Sequence, residues 1–205
     1  MNILTYSLGE LQANTYLLIQ NGECLLIDPA DEASFILEEI QRRNLHLVGM
    51  IATHGHFDHI MAVGEIQVSL DTSLYIHNKD NFLVKRLKES AKHFLGHEPV
   101  IIPVKNITQI KNGPISIGTF TFEVIETPGH TPGGCCFYFP EEQAVFSGDT
   151  LFKNAVGRTD LSYSSKNDLN TSINRLIEKV PEETIVYPGH GDTTTIMDEK
   201  INLVK

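Results

Sequence analysis

The sequence predicts an α+β protein in which two β-rich halves pack sheet on sheet and carry helices on their outer faces. Short apolar or alternating runs, typical of strands, recur throughout both halves. Each half also repeats one order of events, in which strands precede a turn rich in His or Asp and a helix follows. Because no Pro- or Ser-rich linker divides the chain, we expect a single domain over residues 1–205.

Composition and charge narrow the classes of protein to consider. The 41% of hydrophobic residues suffices for a substantial core, and the formal net charge of -10 argues against a nucleic-acid surface. No stretch approaches the length of a membrane span, and the first residues do not resemble a signal peptide. Three cysteines, two of them adjacent, do not suit a disulfide framework. We therefore expect a cytoplasmic protein without nucleic-acid or membrane partners.

The elements of the first half follow from local patterns. Asn21-Gly22 between two apolar runs is a hairpin signal, and apolar residues at helical spacing follow the third run. In chain order, the patterns predict strands over 2–8, 14–20 and 23–28, a helix over 32–43, a strand over 48–53, a helix over 60–70, a strand over 74–77 and a charged, mostly helical segment over 79–95 that ends near Gly96.

The second half shows the same kinds of strand and helix patterns after an irregular segment at 99–104. Two turn-rich segments interrupt its strands, and a polar stretch covers 153–165. The patterns predict strands over 107–110, 114–118, 119–126, 134–139 and 143–147, a helix over 167–179, a strand over 184–187 and a short closing helix.

The segment Thr53-His54-Gly55-His56-Phe57-Asp58-His59 concentrates potential metal ligands at the end of a predicted buried strand. In extended chain, residues two apart point to the same side, so His54 and His56 can face one pocket. Asp58 and His59 follow at once and can supply further donors. Such a density of His and Asp predicts a metal site.

Three later turns carry a His or Asp in the same setting, just past a strand and beside Gly or Pro. These residues are His130, Asp149 and His190. Together with the first segment they give seven donors, which is enough for two cations if one carboxylate bridges them.

This series of residues resembles the metal-binding signature of the metallo-β-lactamase superfamily, in the same order and over nearly the whole chain. The resemblance implies a four-layer αββα sandwich with the site at one edge of the two sheets. It implies a first metal held by His54, His56 and His130, a second held by Asp58, His59 and His190, and Asp149 as the bridge. It also makes Asp58 and Asp149 the catalytic residues.

Within the superfamily, the turns around His130 and Asp149 are most similar to the glyoxalase II, or hydroxyacylglutathione hydrolase, branch. A basic residue nine positions beyond the bridging Asp contacts glutathione in that branch, and Arg158 stands there in this chain. The glutathione-contacting Tyr two positions further is replaced by Asp160, and we expect a short form without the C-terminal helical domain. Lys153 and Tyr163 flank the polar segment and are further candidate substrate contacts.

The resemblance implies a metallo-hydrolase, and in the first place a binuclear thioesterase of the hydroxyacylglutathione hydrolase type. It would cleave S-lactoylglutathione or a related acyl thioester, its small-molecule partner, through a hydroxide that bridges two divalent metal ions. Zinc is the expected metal, with iron or manganese as alternatives, because these ions share ligand preferences. An iron-dependent persulfide dioxygenase, which residues 157–160 also resemble, and a lactonase of the same fold remain alternatives. The sequence leaves the thiol carrier and the oligomeric state open.

Overall fold

Two six-stranded sheets lie at the centre of the protein in the computed structural model, which describes residues 1–203. In chain order and in spatial order, the first sheet consists of β1 (Asn2–Leu8), β2 (Ala13–Gln20), β3 (Glu23–Ile27), β4 (His46–Ile51), β5 (Leu74–His77) and β6 (Ile107–Ile110). The first three strands pair antiparallel, whereas β3 to β6 pair in parallel. Parallel neighbours require crossover connections, and these carry helices.

The second half of the chain forms the second sheet and a small ribbon. Its strands are β7 (Gly113–Ile117), β8 (Phe120–Glu126), β9 (Cys135–Phe139), β10 (Ala144–Gly148), β11 (Leu151–Phe152), β12 (Ala155–Val156), β13 (Ile185–Pro188) and β14 (Thr194–Thr195). The sheet has the order β14-β13-β10-β9-β8-β7, and β11 pairs with β12 in the ribbon. In this sheet β10 and β13 are parallel, and the other neighbours are antiparallel.

Helices connect the parallel strands and cover the outer faces of both sheets. They are α1 (Ala33–Arg42), α2 (Phe57–Ile60), α3 (Val63–Ser69), α4 (Asn81–Lys85), α5 (Leu87–Leu95), α6 (Lys166–Lys179) and α7 (Ile196–Leu203). Ser165 begins α6 by accepting a hydrogen bond from the N–H of Asp168, and Gly96 ends α5 in the left-handed conformation. None of the helices in residues 1–203 combines the length and apolar character needed to cross a bilayer.

Three buried apolar clusters show how the layers stack. One cluster joins the first sheet to α1, α3 and α5. A second fills the space between the sheets, and its large side chains include Tyr16, Phe137 and Phe146. The third joins the second sheet to α6 and α7 through Leu176 and Ile196. The order is helix, sheet, sheet, helix, so the predicted α+β sandwich is confirmed.

Most predicted elements agree with the structure, and the structure adds two details. The mostly helical segment predicted over 79–95 is confirmed, and within it Arg86, with φ -101° and ψ 13°, separates α4 from α5. Val84 before this break and Leu87 after it both pack in the core. The polar segment after residue 150 contains the β11–β12 ribbon, which the sequence patterns did not indicate. Residues 204 and 205 lie outside the described residues, and the single domain over 1–205 stays a prediction.

Candidate metal centre

The first ligand-bearing segment begins where two parallel strands end together. The register pairs Ile27 of β3 with Ile51 of β4, so Asp28 and Thr53 leave the sheet side by side. The N–H of Thr53 donates to Asp28 Oδ1 over 2.7 Å. Parallel strands place their carboxyl ends at one edge, and residues 54–59 start at that edge.

The second sheet delivers Asp149 and His190 to the same edge. Gly148 of β10 pairs with Pro188 of β13, and the N–H of Gly189 donates to the carbonyl of Gly148 over 2.8 Å. Gly148 has a φ of +49°, which favours glycine. A Cβ on Gly189 would collide with Asp149 Oδ1. Glycine at both positions therefore lets the two ligand-bearing turns lie directly against each other.

Two backbone hydrogen bonds join the sheets at this edge. The N–H of Cys135, which follows the His130 turn, donates to the carbonyl of Thr53 over 2.8 Å. The N–H of Asn14 donates to the carbonyl of Gly189 over 2.7 Å. These bonds hold ligand-bearing turns from both halves of the chain at the same edge of the two sheets.

Three histidines from two turns form the first group of converging donors. His56 Nδ1 lies 3.0 Å from His54 Nε2 and 3.0 Å from His130 Nε2. A neutral imidazole has one donor and one acceptor nitrogen, so hydrogen bonds alone cannot satisfy three nitrogens that converge on one point. Tetrahedral ligands at about 2.0–2.1 Å from a metal lie about 3.3 Å apart, which is close to this spacing.

Asp58, His59 and His190 form the second group, with ligand atoms all within 4.8 Å of one another. Asp58 Oδ2 lies 3.4 Å from His190 Nε2 and 3.7 Å from His59 Nε2. Asp58 and His59 belong to the short helix α2, so the chain becomes helical within the segment that carries the ligands. The helix places their side chains in the second group, and the His59 ring also lies against that of His54, with ring centroids 4.2 Å apart.

The carboxylate of Asp149 lies between the two groups of donors. Its Oδ2 is 3.5 Å from His130 Nε2, in the first group. Its Oδ1 is 3.4 Å from His59 Nε2 and 3.9 Å from His190 Nε2, in the second group. One carboxylate therefore presents one oxygen to each group.

Each of the five histidines uses its outward-facing nitrogen to contact an oxygen. The partners are Thr53 Oγ1 for His54 (3.0 Å), Tyr163 Oη for His56 (2.8 Å), Asp28 Oδ2 for His59 (3.0 Å), the Arg158 carbonyl for His130 (3.0 Å) and the Gln12 carbonyl for His190 (3.3 Å). The partners of His59, His130 and His190 can only accept, and Thr53 Oγ1 donates its own proton to Asp28, so these three histidines and His54 carry a proton on the outer nitrogen and direct the inner nitrogen toward the cluster. That pattern is typical of metal-binding histidines. The Tyr163 hydroxyl can donate to or accept from His56.

Two buried atoms at the centre lack a hydrogen-bond partner among the described residues. They are His59 Nε2 and Asp149 Oδ1, which lie 3.4 Å apart. A buried polar atom without a partner is costly, and a cation between the two would satisfy both. The residues present therefore fit a pair of divalent cations.

Histidine pKa values shift in opposite directions in the two groups of donors. Burial, and then the neighbouring His130, lowers the pKa of His56 to about 3. Burial and the nearby His59 lower the pKa of His54 well below its ordinary value. Burial also disfavours the charged form of His59, but the carboxylates of Asp149 and Asp58 outweigh it and raise the pKa of His59 to about 10. Carboxylates thus favour positive charge in the second group, and a cation supplies such charge.

Asp28 is a buried site residue that the sequence analysis did not select. Its Oδ2 accepts hydrogen bonds from Thr53 Oγ1 over 2.7 Å and from His59 Nδ1 over 3.0 Å. The signal that could have indicated it is a carboxylate directly after a predicted buried strand, because α/β folds place functional side chains at strand ends.

Asp80 is a second buried carboxylate that the sequence analysis missed. It accepts hydrogen bonds from the N–H of Gly55 over 2.9 Å, from the N–H of Gly133 over 2.6 Å and from Thr131 Oγ1 over 2.7 Å. Gly55 belongs to the first ligand segment, and Thr131 and Gly133 belong to the His130 turn. Asp80 therefore fixes the relative position of two ligand-bearing turns.

A cavity of about 290 Å³ opens onto the donors, and the structure places two of the three predicted substrate contacts on it. Arg158 and Tyr163 line this cavity. Lys153 does not line it. The turn of the β11–β12 ribbon directs the Lys153 ammonium toward Asp192 Oδ2, at 3.3 Å.

Arg158 is held by a neighbouring carboxylate. Its Nε and Nη2 donate to Asp160 Oδ1 and Oδ2 over 2.7 and 2.8 Å, which is a bidentate ion pair. The hydrogen bonds from Arg158 lower the pKa of Asp160 to about 2, so the carboxylate is ionised at neutral pH. The guanidinium charge is thus balanced within the chain.

Two adjacent His and Asp groups that share a carboxylate, at the edge of an αββα sandwich, define a metallo-hydrolase with a site for two divalent metals. The sequence profile described as the metallo-beta-lactamase superfamily matches residues 8–190. The chain belongs to this superfamily, and the predicted family is confirmed.

Curated relatives share the chain's length as well as its sequence. The probable metallo-hydrolase YqgX of Bacillus subtilis (strain 168) is 36% identical over 94% of this chain and 91% of its own length. The hydroxyacylglutathione hydrolase GloC of Haemophilus influenzae is 32% identical over 98% of this chain and 95% of its own length. The first name supports a metallo-hydrolase, and the second names a thioester substrate class for that protein.

Solved structures show the same fold over nearly all of the chain. The BLEG-1 B3 metallo-beta-lactamase has a TM-score of 0.89 and 34% identity, covering 98% of this chain and 97% of its own. TTHA1623 in a di-iron-bound form has a TM-score of 0.88 and 37% identity, covering 96% of each chain. The second structure holds two metals of a kind other than zinc, so zinc stays a prediction for this chain.

Proposed function

We propose that this protein is a binuclear thioesterase of the hydroxyacylglutathione hydrolase type, with S-lactoylglutathione or a related small acyl thioester as its substrate. The observation that carries the proposal is the position of Asp149, whose two oxygens face different donor groups. The name of the GloC relative supports the thioester class.

The proposed ligand sets follow the two groups in the structure. His54, His56 and His130 would hold the first cation, and Asp58, His59 and His190 the second, with Asp149 shared between them. Zinc is the proposed metal, with iron or manganese as alternatives.

Hydrolysis adds water to the thioester carbonyl carbon and breaks the C–S bond, which gives a carboxylic acid and a thiol. When bound, the two cations supply Lewis-acid polarisation of the carbonyl and a water of lowered pKa. Asp58 lines the cavity, and its carboxylate is placed to orient the attacking water. The leaving thiol has a pKa of about 8.5, so it departs as a thiolate without a dedicated general acid.

The proposal is tested by metal content and thioester turnover in one preparation. We expect close to two metals per chain and hydrolysis of S-lactoylglutathione, and we expect Asp149→Ala to lose tight metal binding and hydrolysis together. Asp192→Ala, which removes an exposed carboxylate outside the cavity, is the matched control and should retain both. Full hydrolysis by Asp149→Ala would contradict the shared role of Asp149.

A second candidate is β-lactam hydrolysis, which the likeness to the BLEG-1 B3 metallo-beta-lactamase favours. Turnover of a chromogenic cephalosporin in the same preparation separates the two candidates. Oxygen uptake with glutathione persulfide, without thioester cleavage, would favour the dioxygenase alternative. Cleavage of an acyl-homoserine lactone alone would favour a lactonase.

A further inference from the structure

The cavity beside the metal ligands has one Lys or Arg among its lining residues, and that residue is Arg158. Apart from cations held by the donor groups, this guanidinium is the positive charge in the lining that would attract an anionic group of a substrate. Asp160 already occupies it through two hydrogen bonds of 2.7 and 2.8 Å. A substrate carboxylate must therefore displace Asp160 or bind beside a second negative charge.

Another part of the cavity lining is apolar. It consists of Leu11 between β1 and β2, Phe57 at the start of α2, Phe94 near the end of α5 and Leu161. Phe57 and Phe94 stack with ring centroids 5.9 Å apart and an interplanar angle of 16°. Leu11 is 44% exposed and Phe94 48% exposed, so both offer apolar surface that a bound ligand can cover.

We propose, on the basis of the proposed thioesterase function, that among acyl thioesters the cavity binds those with an uncharged, apolar thiol carrier more tightly than the glutathione thioester, and that Asp160 sets this preference by neutralising Arg158. The apolar part of the lining binds the carrier or acyl chain by burial of its surface. The Arg158–Asp160 pair gives little net attraction to an anionic carrier such as glutathione, whose two carboxylates outnumber its one ammonium group.

The pair is exposed, with side-chain exposures of 55% for Arg158 and 67% for Asp160. Solvent weakens the interaction of such charges, so removing the Asp160 charge should change the affinity for an anion about twofold to fivefold. The change should weaken further as the salt concentration rises.

The test measures binding of two stable thioethers to the metal-loaded protein, so that it does not depend on turnover. The ligands are S-hexylglutathione and the S-hexyl thioether of N-acetylcysteamine, which carry the same alkyl chain on a charged and an uncharged carrier. We expect the wild type to bind the uncharged ligand more tightly. Asp160→Asn should improve the affinity for S-hexylglutathione relative to the uncharged ligand by about twofold to fivefold.

Two further variants show whether the effect acts through Arg158. Arg158→Gln combined with Asp160→Asn should abolish the gain, because the freed guanidinium is then absent. Glu182→Gln, which removes an exposed ion pair with Lys200 outside the cavity, should leave the preference unchanged. The proposal would be overturned if Asp160→Asn kept the wild-type preference between the two ligands. It would also be overturned if the wild type bound S-hexylglutathione more tightly than the uncharged ligand.

Turnover of the matching lactoyl thioesters separates this inference from the proposed function. Hydrolysis of neither thioester would contradict the thioesterase, while the thioether affinities would still decide the role of Asp160. Hydrolysis of both, with a preference for the glutathione thioester, would support the thioesterase and contradict the selectivity.

Discussion

The Nδ1 of His59 donates to Oδ2 of Asp28 over 3.0 Å, and both side chains are buried. This bond leaves His59 Nε2 as the free nitrogen, directed at Asp149. Asp28 also accepts from the backbone and side chain of Thr53, so one carboxylate fixes both the start of the ligand segment and the orientation of one of its rings. Oxygen partners of this kind tune the affinity of the ligands they hold.

Asp28→Asn is expected to weaken metal binding by about 10- to 100-fold, because the new amide group would point N–H bonds at groups that are themselves donors. Competition with a chromogenic chelator measures the affinity. Asp71→Asn, at an exposed position before β5, is the control and should bind metal as the wild type does. Unchanged affinity in Asp28→Asn would mean that the His59 ring is fixed by other contacts.

Tyr163→Phe is expected to weaken metal binding about tenfold, since it removes the oxygen that His56 Nε2 contacts at 2.8 Å. The ring stays in place against Phe82, so the cavity wall is retained. Isothermal titration of the metal-free protein with zinc measures the change. Tyr138→Phe, on β9 outside the cavity, should bind zinc with the wild-type affinity, and an equal affinity in Tyr163→Phe would contradict a role in holding His56.

Asp80→Asn is expected to lower the free energy of unfolding by about 2 kcal/mol or more, because at least one of the donors that converge on Asp80 then loses its acceptor in a buried place. Urea unfolding of the metal-free protein measures this change. Thr131→Val removes one of those donors and leaves the others paired, so it should cost less, about 1 kcal/mol. A larger loss in Thr131→Val than in Asp80→Asn would be inconsistent with Asp80 as the centre of the network.

Glu39, which lies outside the metal centre, makes the free energy of unfolding depend on pH in the acid range. Hydrogen bonds from Tyr6, and then from Arg42, lower its pKa from 4.5 to about 2. A carboxylate with a lowered pKa in the folded state stabilises the fold above pH 4.5, and this contribution is lost as the pH falls toward 2.

Glu39→Gln should therefore show a smaller loss of stability than the wild type between pH 4.5 and pH 3, although it starts from a lower value. Urea midpoints of the metal-free protein at several pH values measure the slope. Glu38→Gln, at an exposed position on the same helix, should keep the wild-type slope. Parallel slopes for Glu39→Gln and the wild type would refute the assignment.

Most strands and helices could be predicted from the sequence because their side chains repeat at the period of the element. The strand over 74–77 and the helix that ends at Lys179 are examples with the predicted bounds or nearly so. The break at Arg86 could not be predicted, since the apolar spacing on each side of it is compatible with one helix. Val84 and Leu87, on either side of the break, would also share one face of a continuous helix, so the apolar periodicity does not mark the break.

The residue types and their order determined the family and the seven candidate ligands, because His and Asp beside Gly at strand ends have few other uses. Tertiary structure alone decided which oxygen of Asp149 faces which group, since that depends on the parallel pairing of β10 with β13. It also decided that Arg158 is neutralised by Asp160 and that Lys153 points away from the cavity. The spacing of residues in the sequence determines which of them lie in a loop. The direction of a side chain in that loop depends on the partners that bind it in the folded protein.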